Sequence, residues 1–174
     1  MWLTWANGLT AFRALLAIPC AWQAAQQRWT SAALLLSLAV LSDLLDGPLA
    51  RRLGQNSPLG GLMDHATDAA FVTLLLAGLY SSGLVPWLLP VLVAASFLQY
   101  VVDSRALRGR SLRASWLGRA NGIGYFVLAA VAVYRNALGL PWPSDASVEA
   151  LAWLLVLTTV ASMLDRLRVW RTAE

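Results

Sequence analysis

The sequence predicts an all-α integral membrane protein, a bundle of six transmembrane helices. Three observations carry this expectation. Hydrophobic residues make up 59% of the chain and charged residues only 13%, against about a quarter charged in a typical soluble domain. Residues 69–102 contain no charge at all, and that run is too long for a single span of about 20 residues. Several of the nine tryptophans (Trp29, Trp87, Trp142, Trp170) fall near the ends of apolar stretches, where an indole sits well between hydrocarbon and water. Neither strand-like alternation nor an internal repeat is visible. The length, 174 residues, suggests one membrane domain, 1–174.

The elements follow in order. The first helix, 8–26, is built on the apolar stretch 15–25. It has the polar start and apolar run of a secretory signal, but Arg13 interrupts the run and no convincing A-x-A site follows, so it reads as a first span. Helix two, 30–52, rests on residues 32–45 and ends at Arg51 and Arg52. The long uncharged run supplies the next two. Ser81-Ser82-Gly83 and Pro86 are turn signals, and they divide it into helices over 60–81 and 85–104. The fifth helix, 117–137, is centred on 123–134, and the sixth, 147–168, on 150–164. Cys20 is the sole cysteine. It excludes an internal disulfide and reads as a small buried hydrophobe.

Orientation comes from the basic residues, all thirteen of which are arginine. Arg51 and Arg52 close helix two. Arg105, Arg108, Arg110, Arg113 and Arg119 lie in or beside the connection between helices four and five, and Arg166, Arg168 and Arg171 lie near the C-terminus. With six spans these three groups share one side of the membrane. The other side holds mainly Arg28 and Arg135, with Asp145 and Glu149. The positive-inside rule then places both termini and the arginine-rich connections in the cytoplasm, in a bacterial-type inner or plasma membrane. The net charge of +4 suits anionic headgroups and phosphorylated substrates. A nucleic-acid partner is not expected, because no soluble basic domain exists to bind one.

Against this background, residues 42–68 contain four aspartates. Asp43, Asp46 and Ala50 are spaced i, i+3, i+7, nearly one face of a helix, with Gly47 beside them. Asp64 and Asp68 are spaced i, i+4, again one face, with Gly60 one turn earlier. A short connection joins the two helices, which are therefore expected to be antiparallel neighbours with their four carboxylates converging near the cytoplasmic ends. Four packed anions repel strongly, and they stay ionised if divalent cations neutralise them. All-oxygen ligation favours Mg²⁺, Mn²⁺ or Ca²⁺ over Zn²⁺. Two ions fit four carboxylates, and such pairs suit phosphoryl chemistry. Gly47 and Gly60 bare the facing surfaces, and Arg51 offers a bidentate fork for phosphate. A tightly packed pair of helices with aspartates at the membrane surface would explain the glycines alone. It does not explain the whole constellation, since ionisable residues within spans mark functional sites.

The pattern Asp43-x2-Asp46-Gly47-x2-Ala50-Arg51-x8-Gly60-x3-Asp64-x3-Asp68 matches, without a gap, the signature of the CDP-alcohol phosphatidyltransferase family, which the chain resembles. The start Asn7-x-x-Thr10-x-x-Arg13 is similar to the family's Asn-x-x-Thr-x-x-Arg. The resemblance covers nearly the whole chain in architecture and the first 70 or so residues in motif. It implies transfer of a substituted phosphate from a CDP-linked donor to an alcohol hydroxyl, with release of CMP. It implies that Asp43, Asp46, Asp64 and Asp68 hold Mg²⁺ or Mn²⁺, two ions, and that Asp68 is also the catalytic general base. Thr10, Gly47, Ala50, Arg51 and Gly60 would receive the CDP moiety. The donor would be CDP-diacylglycerol, a lipid held in the bilayer, and the enzyme a homodimer.

The acceptor is less sharply written. A small alcohol is expected, with glycerol 3-phosphate first, its phosphate bound by Arg110, Arg113 and Arg119, since a guanidinium fork fits phosphate. Yet phosphatidylglycerophosphate synthases usually read Asp-Pro-x-Ala-Asp-Lys where this chain has Asp64-His65-Ala66-Thr67-Asp68-Ala69. Of a Gly-Lys-x-Lys-Thr-like stretch only Gly118-Arg119 survives. "SPLGGLMDHATD" is instead similar to choline and ethanolamine phosphotransferases, which use CDP-choline or CDP-ethanolamine and diacylglycerol. His65, the single histidine, falls one residue off the metal face, which favours a packing or hydrogen-bonded role over substrate contact. A cation transporter is the reading from another class, but a cation path needs neither Arg51 nor Gly60.

Overall fold

The computed structural model describes residues 5–52, 58–103 and 116–172; at 5–7, 46–52, 58–60, 62, 102–103 and 169–172 it describes the helical course alone. The described residues form six α-helices: α1 (Trp5–Ala25), α2 (Trp29–Arg52), α3 (Pro58–Ser81), α4 (Leu88–Asp103), α5 (Trp116–Ala137) and α6 (Asp145–Thr172). Each lies on one of the apolar stretches read from the sequence.

The odd-numbered helices end alike. Gln27, Gly83 and Gly139 have φ of 56°, 85° and 64°, the left-handed conformation that closes a helix C-terminus. The next amide in each case reaches back to a carbonyl of the last turn: Arg28 to Gln23 at 2.9 Å, Leu84 to Leu79 at 3.0 Å and Leu140 to Arg135 at 2.9 Å. These closures satisfy carbonyls that would otherwise lack donors. The turn expected at Ser81-Ser82-Gly83 is one of them. At the third, buried Arg135 pairs with Asp145 and donates to the Pro143 carbonyl at 2.5 Å, tying the α5–α6 connection down.

The helices close into a ring in the order α1, α2, α5, α6, α4, α3, with α3 also touching α5 across the middle. One expectation is corrected here. Among the described residues α2 and α3 make little direct contact, apart from Asp43 coming close to Asp64 and Asp68, and α1 packs extensively against both. The physical reason is close backbone approach. At Gly78 of α3 an added Cβ would stand 2.3 Å from the Ala21 carbonyl oxygen of α1, so α1 and α3 meet where no side chain intervenes. Elsewhere Ser37 Oγ meets the Tyr134 hydroxyl at 2.7 Å between α2 and α5, and the Tyr125 hydroxyl meets Thr159 Oγ1 at 2.6 Å between α5 and α6. Leu36, Leu75, Leu79, Leu89 and Leu128 fill the interior. Cys20 is buried among them, its thiol donating to the Ala32 carbonyl at 3.6 Å.

The outer surface is also apolar. Leu15, Ile18, Trp22, Leu34, Leu98 and Leu157 are all exposed, a perimeter that water does not tolerate over so large an area. Trp116–Ala137 and Asp145–Arg168 are long and apolar enough to cross a membrane, and Trp29–Leu45 and Leu88–Val101 are shorter apolar helices.

Candidate active site

Three helices bring the charged groups together. Asp43 stands on α2, and Asp64 and Asp68 stand one turn apart on α3. One oxygen from each of the three lies within 4.8 Å of the others. Arg13 of α1 reaches all of them. Its Nη2 is 2.9 Å from Asp43 Oδ1, its Nη1 is 2.9 Å from Asp64 Oδ1, and Nη1 also pairs with Asp68 Oδ1. Three carboxylates so close repel one another, and one guanidinium offsets one of those charges. The remaining negative charge, carried by hard oxygen donors, fits Mg²⁺ or Mn²⁺ rather than a metal that prefers nitrogen or sulfur.

A cavity of about 610 Å³ opens beside this cluster, and all six helices contribute to its wall. That volume lies within the usual range for small-molecule sites, roughly 300–1,000 Å³. Its polar lining comes from two sides of the ring: Arg13, Asp43, His65 and Asp68 on α1 to α3, and Arg119 and Arg166 on α5 and α6. Phe71, Val93, Phe97 and Ile123 supply apolar wall. Gly118 and Gly122 line α5 without a side chain, and a Cβ at Gly122 would meet nothing within 4 Å. Arg166 donates to the Ser96 carbonyl at 3.3 Å and lies 5.5 Å above the centre of the Tyr100 ring. An anionic pole and a cationic pole therefore share one cavity.

The CDP-alcohol phosphatidyltransferase family model matches residues 3–164. The chain belongs to that family. It is a transferase enzyme of phospholipid biosynthesis, of a family whose members take a CDP-linked donor and an alcohol acceptor and generally depend on divalent metal. An archaetidylinositol phosphate synthase of Aeropyrum pernix is 29% identical over 164 residues, spanning 88% of this chain and 82% of that protein. A probable phosphatidylglycerophosphate synthase of Mycobacterium tuberculosis is 29% identical over 131 residues, 74% of this chain and 61% of its own. A cardiolipin synthase (CMP-forming) of Streptomyces coelicolor is 43% identical over 72 residues, 41% of this chain and 34% of its own.

In this phosphatidyltransferase, Asp43, Asp64 and Asp68 are brought together as their spacing led one to expect, although through α1 rather than through direct α2–α3 packing. Asp46, Gly47, Ala50 and Arg51 ride on α2 and Gly60 on α3, and their side chains lie outside the described residues. Arg110 and Arg113 lie outside them altogether, whereas Arg119 lines the cavity. Thr10 is buried one turn before Arg13. His65 corrects the packing part of its expectation: it is exposed and lines the cavity rather than the core. Two residues carry more than sequence reasoning assigned them. Arg13 had only its place in the N-terminal pattern, and Arg166 counted only toward orientation. Nothing local distinguishes Arg166 from Arg168; the packing of α6 on α4 does.

Proposed function

We propose that the chain transfers a phosphatidyl group from CDP-diacylglycerol to the hydroxyl of glycerol 3-phosphate, releasing CMP. The observation that carries this reading is the single cavity with a carboxylate cluster at one part of its wall and Arg119 and Arg166 at another. Two relatives that align over 88% and 74% of this chain are named for products that keep a phosphate on the acceptor, archaetidylinositol phosphate and phosphatidylglycerophosphate. A phosphorylated acceptor needs a cationic subsite apart from the metal ligands. Arg119 and Arg166 offer one, with Arg110 and Arg113 beside it in sequence, and a guanidinium fork matches phosphate geometry.

Bound Mg²⁺ or Mn²⁺, two ions shared by Asp43, Asp46, Asp64 and Asp68, would neutralise the pyrophosphate and stabilise departing CMP. Asp68 takes the proton of the acceptor hydroxyl as its oxygen bonds to the phosphorus that bears diacylglycerol. The bond from that phosphorus to the CMP oxygen breaks, and its electron pair leaves with CMP. Thr10, Gly47, Ala50, Arg51 and Gly60 hold the cytidine diphosphate, and Arg119 and Arg166 orient the acceptor so that its hydroxyl faces the donor. The apolar wall excludes water, which would otherwise compete as acceptor.

The wider reading is a single domain of six spans, acting as a homodimer, with both termini and the site on the cytoplasmic side, where nucleotide and sugar phosphate are found. The apolar perimeter and the arginine distribution support it. The deciding experiment measures CMP release by purified protein in lipid micelles with Mg²⁺. CDP-diacylglycerol is offered with glycerol 3-phosphate, inositol phosphate, serine or glycerol in turn, with Asp68→Asn as control. Release with glycerol 3-phosphate, lost in the variant, is expected. Release with another acceptor replaces the substrate; silence with all of them, followed by CMP release from CDP-choline and diacylglycerol, overturns the donor.

A further inference from the structure

The carboxylates of Asp43, Asp64 and Asp68 come from two helices that barely touch, because α1 separates them. Direct α2–α3 packing among the described residues therefore does little to set their spacing. Arg13 spans the gap. One guanidinium from the intervening helix reaches Asp43 on one side and Asp64 and Asp68 on the other. The burial pattern gives the arrangement a direction. The Arg13 side chain is 2% exposed, while Asp43, Asp64 and Asp68 are 48%, 36% and 27% exposed. The guanidinium thus lies beneath, and the carboxylates open outward above it.

Its contacts with these three aspartates run to Oδ1 of each. A carboxylate offers two oxygens and about four acceptor positions, so an arginine contact orients the group without using up its capacity to bind a cation. The planar fork of arginine spreads its donors over several nitrogens at fixed angles, whereas the three donors of lysine sit on one freely rotating ammonium.

We infer that Arg13 is a positioning residue, which holds the carboxylates of α2 and α3 at the spacing a divalent cation requires. The inference rests on the metal site proposed above. Two effects of the side chain oppose each other. Its positive charge repels an arriving cation, while its contacts spare the carboxylates the disorder and mutual repulsion they would otherwise have to overcome. Groups that orient metal ligands from behind typically change metal affinity by about 10- to 100-fold. The sign of the change on removing Arg13 decides which effect governs.

The test is the dissociation constant for Mn²⁺, read from the free-ion paramagnetic resonance signal, for full-length protein in lipid nanodiscs. Wild type, Arg13→Gln, Arg13→Lys and Asp43→Asn are compared. Arg13→Gln is expected to weaken Mn²⁺ binding about 10-fold or more, and Arg13→Lys to weaken it by a smaller factor. A merely structural role would lower thermal stability and leave the constant of the folded variant where it was. An unchanged or tighter constant in Arg13→Gln overturns the inference alone. Should that variant fail to fold, Arg13→Lys decides, since it keeps the charge and loses the fork; an unchanged constant there overturns the inference equally. Wild-type protein that binds no Mn²⁺, or binds it undiminished in Asp43→Asn, overturns the metal site itself and this inference with it.

Discussion

Replacing Gly78 by alanine would drive a methyl group into the backbone of α1. The new Cβ would stand 2.3 Å from the Ala21 carbonyl oxygen and 3.1 Å from the Ala21 carbonyl carbon and Cα. Ordinary contact begins at 3.4 Å, so the shortfall is 3.4 less 2.3, or 1.1 Å. Backbone atoms cannot rotate out of the way as a side chain can, so the two helices must part. Overpacking of this kind costs about 1–3 kcal/mol, and the better helix propensity of alanine returns ~1 kcal/mol. A net loss of up to about 2 kcal/mol remains, and a chain of this size loses ~2–4 °C of melting temperature per kcal/mol. The effect should also reach the site. Arg13 lies two turns from Ala21 on the same helix, about 12 Å along its axis, and it would move relative to aspartates anchored on α2 and α3. Thermal unfolding in detergent and CMP release are the assays, with Gly61→Ala as control, since a Cβ there meets nothing within 4 Å. A Gly78→Ala protein as stable and as active as the control would refute the claim that close α1–α3 contact builds the site.

Three further outcomes are expected. Chelation with EDTA should abolish CMP release and Mg²⁺ or Mn²⁺ should restore it; activity that survives exhaustive chelation would contradict a divalent role for the carboxylate cluster. Arg166→Gln should raise KM for the phosphorylated acceptor ~10-fold or more, the loss of one charge-assisted hydrogen bond, with KM for CDP-diacylglycerol little changed; steady-state kinetics with each substrate varied separates the two. Gly122→Leu should leave the melting temperature within a few degrees of wild type, because its Cβ enters open space, yet the side chain would fill part of the cavity and suppress CMP release. Loss of folding in that variant would show that Gly122 is there for packing instead.

Much of the fold was written locally. Each helix sits on an apolar stretch, and the turn at Ser81-Ser82-Gly83 appears with Gly83 in the left-handed conformation that glycine permits. The boundaries moved by a few residues: α4 begins at Leu88 rather than 85, after a turn that uses up Pro86, and α6 runs to Thr172. The aspartates were legible for the same reason. Spacings of three and four residues on a helix place side chains on one face whatever the helix packs against, so Asp64 and Asp68 had to project together. The arginine cluster suggested a site for an acceptor phosphate, and of its three candidates only Arg119 falls among the described residues, where it lines the cavity.

What the sequence by itself determined, then, is the set of helices, their apolar character and which residues share a face of each. Those properties depend on neighbours within a turn or two of chain. Only the tertiary structure decided that α1 comes between α2 and α3, that Arg13 bridges their carboxylates, and that His65 and Arg166 reach the same cavity. Helices with apolar residues nearly all round have no single preferred face for a neighbour. The choice falls to where a neighbour can come close to a bare backbone, the Ala21 backbone at Gly78 and the Leu155 side chain at Gly124, and such contacts join residues far apart in the chain.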